Sequence, residues 1–170
     1  MMQLSRDYGF LVYYELIKEY HIDQGATGHS YKQVFGAAID NKVTKVVLQE
    51  PYILRRPQFD NFVAFCTLLL NDAKNLKVIS LLTTKRSVEE KGDDFSRLAA
   101  SLRAKNRRVE FNWSAVRSLH DRLICFDNGY KFEIGRGLDY FLNSNDPIVM
   151  QDQSRRACKA TEVKIFRRQD

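Results

Sequence analysis

From residue 29 onward, apolar and polar positions alternate between a helical period and a strand period, element after element. Ser30 is placed to cap a helix whose apolar residues Tyr31, Val34, Phe35 and Ala38 lie on one side, and Asp40-Asn41 ends it. Val43 to Gln49 (VTKVVLQ) is a β-branched run expected as a buried strand. Pro57 opens a second helix that gathers Phe59, Phe62, Val63, Cys66, Leu69 and Leu70 on one face. Leu76 to Leu82 (LKVISLL) follows as a second central strand. The polar stretch Thr83 to Asp94 is expected as a mobile loop, after which Phe95, Leu98, Ala99 and Leu102 form a helical stripe ending near Lys105-Asn106. Val109, Phe111 and Trp113 alternate with polar residues, giving a third, half-covered strand.

Asn128-Gly129 between two β-rich runs is a strong hairpin signal, so residues 122–126 and 130–134 are expected to pair antiparallel about it. The N-terminal apolar cluster Phe10, Leu11, Val12, Tyr13, Tyr14, Leu16 and Ile17 fits either a strand or a short packing helix, and Gln24 to Gly28 breaks it with a flexible loop. No linker, repeat or low-complexity stretch divides the chain. The expectation is one α/β domain over residues 1–170, with residues 1–20 as an N-terminal extension.

Composition sharpens this in two ways. Lys plus Arg outnumber Asp plus Glu by 27 to 21, for a net charge of +6, which points to a polyanionic partner if the charge is more than an aid to solubility. The cysteines, Cys66, Cys125 and Cys158, are odd in number and two of them sit in apolar runs, as expected of buried thiols in a reducing, cytoplasmic compartment. No run approaches the roughly 20 apolar residues of a membrane span, so contact with a membrane is expected to be peripheral. No metal or cofactor is expected.

The residues with the most chemistry lie between 119 and 141. His120 and Arg122 are two apart, which on an extended chain puts them on one face. The loop Gly135-Arg136-Gly137 stands at the far end of the returning strand. An imidazole, a guanidinium fork and glycine N–H groups meeting there would make a phosphate site. Equally, Arg122 pairs with Asp121 or Asp127 and His120 is simply exposed; spacing alone does not choose. A cradle filled by neighbouring carboxylates would argue against any phosphate ligand. His29, after Gly28 at a helix start, is a second candidate for the same pocket or a loop-bonded capping residue. Glu50-Pro51-Tyr52 directly follows a strand, where open α/β sheets collect ligands, or it is a polar loop in which Pro51 stops the strand. Basic clusters stand at Lys85-Arg86, at Arg103, Lys105, Arg107 and Arg108, and at Arg155, Arg156, Lys159, Arg167 and Arg168.

The run His120-x-Arg122-x-x-x-x-Asp127, followed by a turn, a strand and a glycine loop, resembles one copy of the phospholipase D signature. The chain is more closely similar to the C-terminal phospholipase-D-like domain of the MIT-domain-containing proteins of the ESCRT-III machinery. That resemblance rests on Gly25 to Tyr31, Glu50-Pro51-Tyr52-Ile53, Leu81-Leu82-Thr83, His120-Asp121-Arg122, Asn128-Gly129 and Ile134 to Phe141. It implies a phospholipase-D-like mixed β-sheet flanked by helices on both faces, no evident catalysis, homodimerisation and binding to phosphoinositide-containing, anionic membranes. It implies an ESCRT-III partner only if an MIT domain belongs to a longer parent chain. The candidate site residues are thus His29, His120, Arg122, Gly135, Arg136 and Gly137 for phosphate, with His120 and Asp127 catalytic only if the domain is active.

Three classes of function follow. The first is a non-catalytic lipid-binding module. The second is a phosphodiesterase, a nuclease or phospholipase, assembled as a homodimer with His120 from each copy; nucleic acid is a partner on that reading. The third is a protein-interaction adaptor.

Overall fold

The computed structural model describes residues 2–4, 11–105 and 109–169, of which residues 2–4, 11 and 12 are described by backbone alone. Its elements are strands β1 (Met2–Leu4) and β2 (Leu11–Ile22), helix α1 (Tyr31–Phe35), β3 (Lys45–Gln49), α2 (Arg56–Asp72), β4 (Val78–Thr83), α3 (Lys85–Ala104), β5 (Glu110–Ala115), β6 (Leu123–Phe126), β7 (Tyr130–Ile134), α4 (Pro147–Met150) and β8 (Thr161–Gln169). The strands form one mixed sheet in the order β1-β2-β8-β7-β6-β3-β4-β5. Strands β3, β4 and β5 are parallel, and every other pairing is antiparallel.

The hairpin forms at the expected turn. Gly129 takes φ +101°, the Gly129 N–H donates to the Phe126 carbonyl at 3.1 Å, and Cys125 pairs with Lys131. The β3-α2-β4 and β4-α3-β5 crossovers step the same way across the sheet, so right-handed connections bring both helices to the same face. The contacts agree. Phe126, Val46, Ile79 and Phe111 lie in one cross-strand row, and Phe111 meets Phe62 of α2 at 5.5 Å and Phe95 of α3 at 6.1 Å. Phe126 meets Phe35 of α1 at 6.5 Å on that same face. Helices on both faces were expected; the described ring contacts of α1, α2 and α3 with the sheet fall on one. The opposite face is covered in part by its own side chains, with buried Lys131 holding its Nζ 4.4 Å from the Phe166 ring and 4.6 Å from the Tyr14 ring.

Three further expectations are corrected. Thr83 to Asp94 is not a mobile loop but, from Lys85, the first half of α3, capped by the Thr84 hydroxyl, which accepts from the Ser87 N–H. Its inward positions there include buried Ser87 and half-buried Lys91, neither of them apolar, so the stripe was invisible until Phe95. Residues 11–20 are not an extension: β2 pairs with β8 from Tyr13↔Gln169 to Ile22↔Thr161. Residues 1 and 5–10, Phe10 of the apolar cluster among them, lie outside the described residues, as do Arg107 and Arg108. Strand β8 itself was read only as a basic cluster.

The core centres on Phe35, fully buried and packed at 4.8 Å from Phe132 and 5.2 Å from Phe65. Phe35→Ala should cost about 3–5 kcal/mol, read as a drop in the urea midpoint at unchanged m-value. A loss below about 1 kcal/mol would mean that this aromatic cluster is not the centre of the core.

Candidate functional site

The register places one set of loops on a common rim. Gln49 ends β3 opposite Leu123, which begins β6; Leu123 faces Glu133 near the end of β7; Ile134 faces Val163 of β8; and Thr161 faces Ile22 at the end of β2. The carboxyl ends of the parallel strands therefore share a rim with residues 116–122 and 135–141, which is where open α/β sheets hold ligands.

An open cavity of about 520 Å³ lies there, lined by Tyr52, Leu54, Arg55, Gln58, Arg86, Glu90, Arg122, Arg136, Asp139 and Lys159. Its size suits a small polar ligand. Five cations face two carboxylates across it. The N-terminal ends of α2 and α3 also point to it, supplying Arg55 with Gln58 and Arg86 with Glu90, and their dipoles add positive potential. Lys159 reaches the cavity because the Phe141↔Cys158 bridge brings the chain back beside β7, and its Nζ lies 3.7 Å from Asp139. Asp139 also accepts from Gln58 and Asn61 at 3.5 Å each.

Arg122 is the wall at the cavity's inner end. Its Nη1 donates to the Gly135 carbonyl at 3.3 Å, its guanidinium lies 4.9 Å from the Tyr52 ring centre, and its Nε is 3.2 Å from Glu50 Oε1. The Nε–H does not point along that last contact, so the pair is held by charge rather than by a directed hydrogen bond. Glu50 is 6% exposed and sits in a notch that exists only because residue 137 is glycine. A Cβ there would stand 2.0 Å from Glu50 Oε2, and Gly137 takes the left-handed φ of +57°. Burial pushes the Glu50 carboxyl up to about 7, against the pull of Arg122 and of the Tyr52 and Leu138 N–H groups; Asp139 adds to the rise.

The expected phosphate residues are thus only partly brought together. Arg122, Gly135 and Gly137 converge as the hairpin implied, and Arg136 lines the cavity while its Nε donates to the Ala160 carbonyl at 3.0 Å. The glycine cradle itself is filled by the Glu50 carboxylate, which counts against a phosphate bound in the cradle; any anion site lies instead in the open basic cavity on the outer side of Arg122. His120 is exposed in the loop after β5, and it is not among the residues that line the cavity. Nor does Asp127 belong here: it lies at the opposite end of β6, where it accepts from the Thr44 N–H at 2.9 Å and from the Thr44 hydroxyl. His29 stacks on Tyr20 at 6.4 Å, and the helix start beside it is occupied by its own partners. There the Ser30 side chain accepts from the Gln33 N–H, and Gln153 accepts from the Tyr31 N–H. Arg55 went unnoticed in the sequence because it stands at a helix N-cap, a position that usually carries a small polar or acidic residue.

Two changes test this geometry. Gly137→Ala adds both a strained backbone and a clash with Glu50, so a loss of about 1–3 kcal/mol is expected in urea unfolding, whereas Gly135→Ala, whose Cβ would meet Thr161 Oγ1 at 3.3 Å, should cost less. The second concerns pH. Because the folded carboxyl of Glu50 is raised from 4.5 to about 7, its contribution is fully present below the lower value and is lost as pH rises through the upper one, by about 3 kcal/mol at most. Glu50→Gln should flatten that decline in a plot of melting temperature against pH; parallel curves for the two proteins would show that the carboxyl ionises as it does in water.

Comparison with known proteins identifies the family. The family model for the phospholipase D-like domain at the C-terminus of MIT matches residues 28–167. MIT domain-containing protein 1 of mouse is 34% identical over 154 residues, covering 88% of this chain, and the chain spans 61% of that relative's length. Among solved structures, the crystal structure of phosphatidylserine synthase from Haemophilus influenzae Rd KW20 covers 92% of this chain, and 34% of its own, at a TM-score of 0.45 and 11% identity. With the family model spanning most of the chain and a relative above the threshold at which homology is secure, the chain belongs to the family of phospholipase D-like domains found at the C-terminus of MIT proteins.

Proposed function

We propose that this domain holds the phosphate groups of anionic membrane lipids, phosphoinositides among them, without cleaving them, and that it does so as a peripheral, cytoplasmic homodimer. The observation that carries the reading is the convergence of Arg55, Arg86, Arg122, Arg136 and Lys159 on one open cavity whose lining contains no histidine. Guanidinium forks grip phosphate oxygens in pairs, and each cation near an anionic bilayer contributes about 1 kcal/mol. Glu90 and Asp139 reduce that attraction, but as acceptors they suit the hydroxyl groups of a sugar-like headgroup. Leu16 and Ile17, 45% and 50% exposed at the irregularity in β2, offer apolar side chains to the second copy.

The phosphodiesterase reading fares less well. It needs a nucleophile against the phosphorus and an acid opposite it. His120 lies outside the cavity, and Asp127 is at the other end of its strand. An ESCRT-III partner belongs to the proposal only for a parent chain that carries an MIT domain.

Vesicle co-sedimentation checks the reading. The protein should pellet with phosphatidylcholine vesicles that carry a phosphoinositide and not with phosphatidylcholine alone, and the Arg122→Ala/Arg136→Ala double variant should bind about tenfold more weakly or worse. Equal pelleting with neutral and anionic vesicles refutes it. Hydrolysis of a chromogenic phosphodiester that disappears in His120→Ala would establish the enzyme instead.

A further inference from the structure

We infer that Glu50 is an internal counter-anion for Arg122, so that the cavity takes up a doubly charged oxyanion together with a proton. This deepens the phosphate-holding reading and rests on it.

Arg122 separates two spaces. Outward, it lines the open cavity; inward, it lines a small pocket shared with Glu50, Gly137 and Leu138. Its charge faces both ways. The Glu50 carboxylate already stands in the notch of Gly137, beside Arg122 Nε, at a place a phosphate oxygen would otherwise fill. An anion arriving from the cavity therefore competes with a carboxylate behind the same guanidinium. Protonating Glu50 removes that competitor without moving it, and frees Arg122 for the incoming charge.

Among the described residues, Arg122 is the cation that acts on Glu50. Asp139, from the loop after β7, is like-charged and pushes the carboxyl further up. Tyr31, from α1, is fully enclosed, donates its hydroxyl to the Leu138 carbonyl at 2.5 Å, and is held neutral by burial. Tyr52 contributes its backbone N–H at 3.3 Å and its ring to Arg122. Proton transfer is the only chemistry: solvent gives one proton to a Glu50 oxygen as the anion binds, and no covalent bond of the ligand changes. The carboxyl of the empty protein titrates at about 7, close enough to neutrality for the exchange to be felt. By linkage, affinity for a dianion of fixed charge should fall by about tenfold from near pH 6 to near pH 8.

Sulfate is the probe, because its charge does not change over that range, as a phosphate monoester's does. The whole chain and its Glu50→Gln variant are titrated calorimetrically with sulfate at both pH values, in two buffers of different ionisation enthalpy. In parallel, the same pair is tested with phosphoinositide-containing vesicles, which tells a lipid headgroup from a free oxyanion as the source of the ligand. The expected result is a tenfold pH dependence in the natural protein, proton uptake on binding, and a flat response in Glu50→Gln. Proton uptake is measured on the unaltered chain, so a variant that folds poorly does not spoil the test. Binding that is pH-independent and releases or takes up no proton overturns the inference while leaving the phosphate-holding reading standing. Failure of sulfate and vesicles alike, at both pH values, overturns the two together.

Discussion

A carboxylate buried against a left-handed glycine fixes the geometry of the rim. Glu50 reaches its notch because residue 137 has no Cβ, and once there it has lost most of its water, which is costly for a charge. Arg122 is the partner that makes the burial tolerable, and the requirement acts in both directions. The guanidinium is held between Glu50, the Gly135 carbonyl and the Tyr52 ring, so its position is set by three separate segments of chain. A cation fixed in this way presents the same face to any ligand, and Arg55, Arg86, Arg136 and Lys159 gather around it.

How far this was legible in the sequence varies with the range of the interaction. Helices α1 and α2, the strands β3 to β5 and the hairpin about Gly129 show themselves through local periodicity and one turn signal, and they stand where that signal put them. The first half of α3 did not, because Ser87 and Lys91 take inward positions that a search for apolar residues passes over. Strand β8 was missed for a related reason: its Lys and Arg residues outweighed the Thr161, Val163 and Phe166 that it buries. The side of the sheet taken by the helices depends on the order of the strands, which no local pattern contains.

The site divides along the same line. Arg122 with Gly135 and Gly137 was recoverable because a hairpin fixes which residues face one another across it. Glu50 and Tyr52 were recoverable because a strand end in an α/β sheet is a known place for ligands. His120 and Asp127 share a motif with Arg122 but not its location. His120 and Arg122 lie in the irregular stretch between the turn at Arg117-Ser118 and the start of β6, so no strand pairing holds the two on one face, and β6 carries Asp127 to its opposite end. Arg55, Arg86 and Lys159 come from three distant segments, and only the folded chain reveals that they meet.

A pair of tyrosines ties the loop after β7 to the start of α1. Tyr31 of α1 donates its hydroxyl to the Leu138 carbonyl, and Tyr140 donates to the His29 carbonyl at 2.7 Å, so the loop that bears Arg136, Gly137 and Asp139 is bound to the start of α1 in both directions. The two rings pack edge to face at 5.9 Å, and Phe65 of α2 meets Tyr31 from the other side. Both hydroxyls satisfy carbonyls that would otherwise be stranded near the core, and breaking either one leaves a buried polar group unpaired. The loop that shapes the Glu50 notch is therefore an extension of the aromatic core. A disturbance of that core reaches Arg122 through Leu138 and Gly137, and the binding surface is as rigid as the packing beneath it.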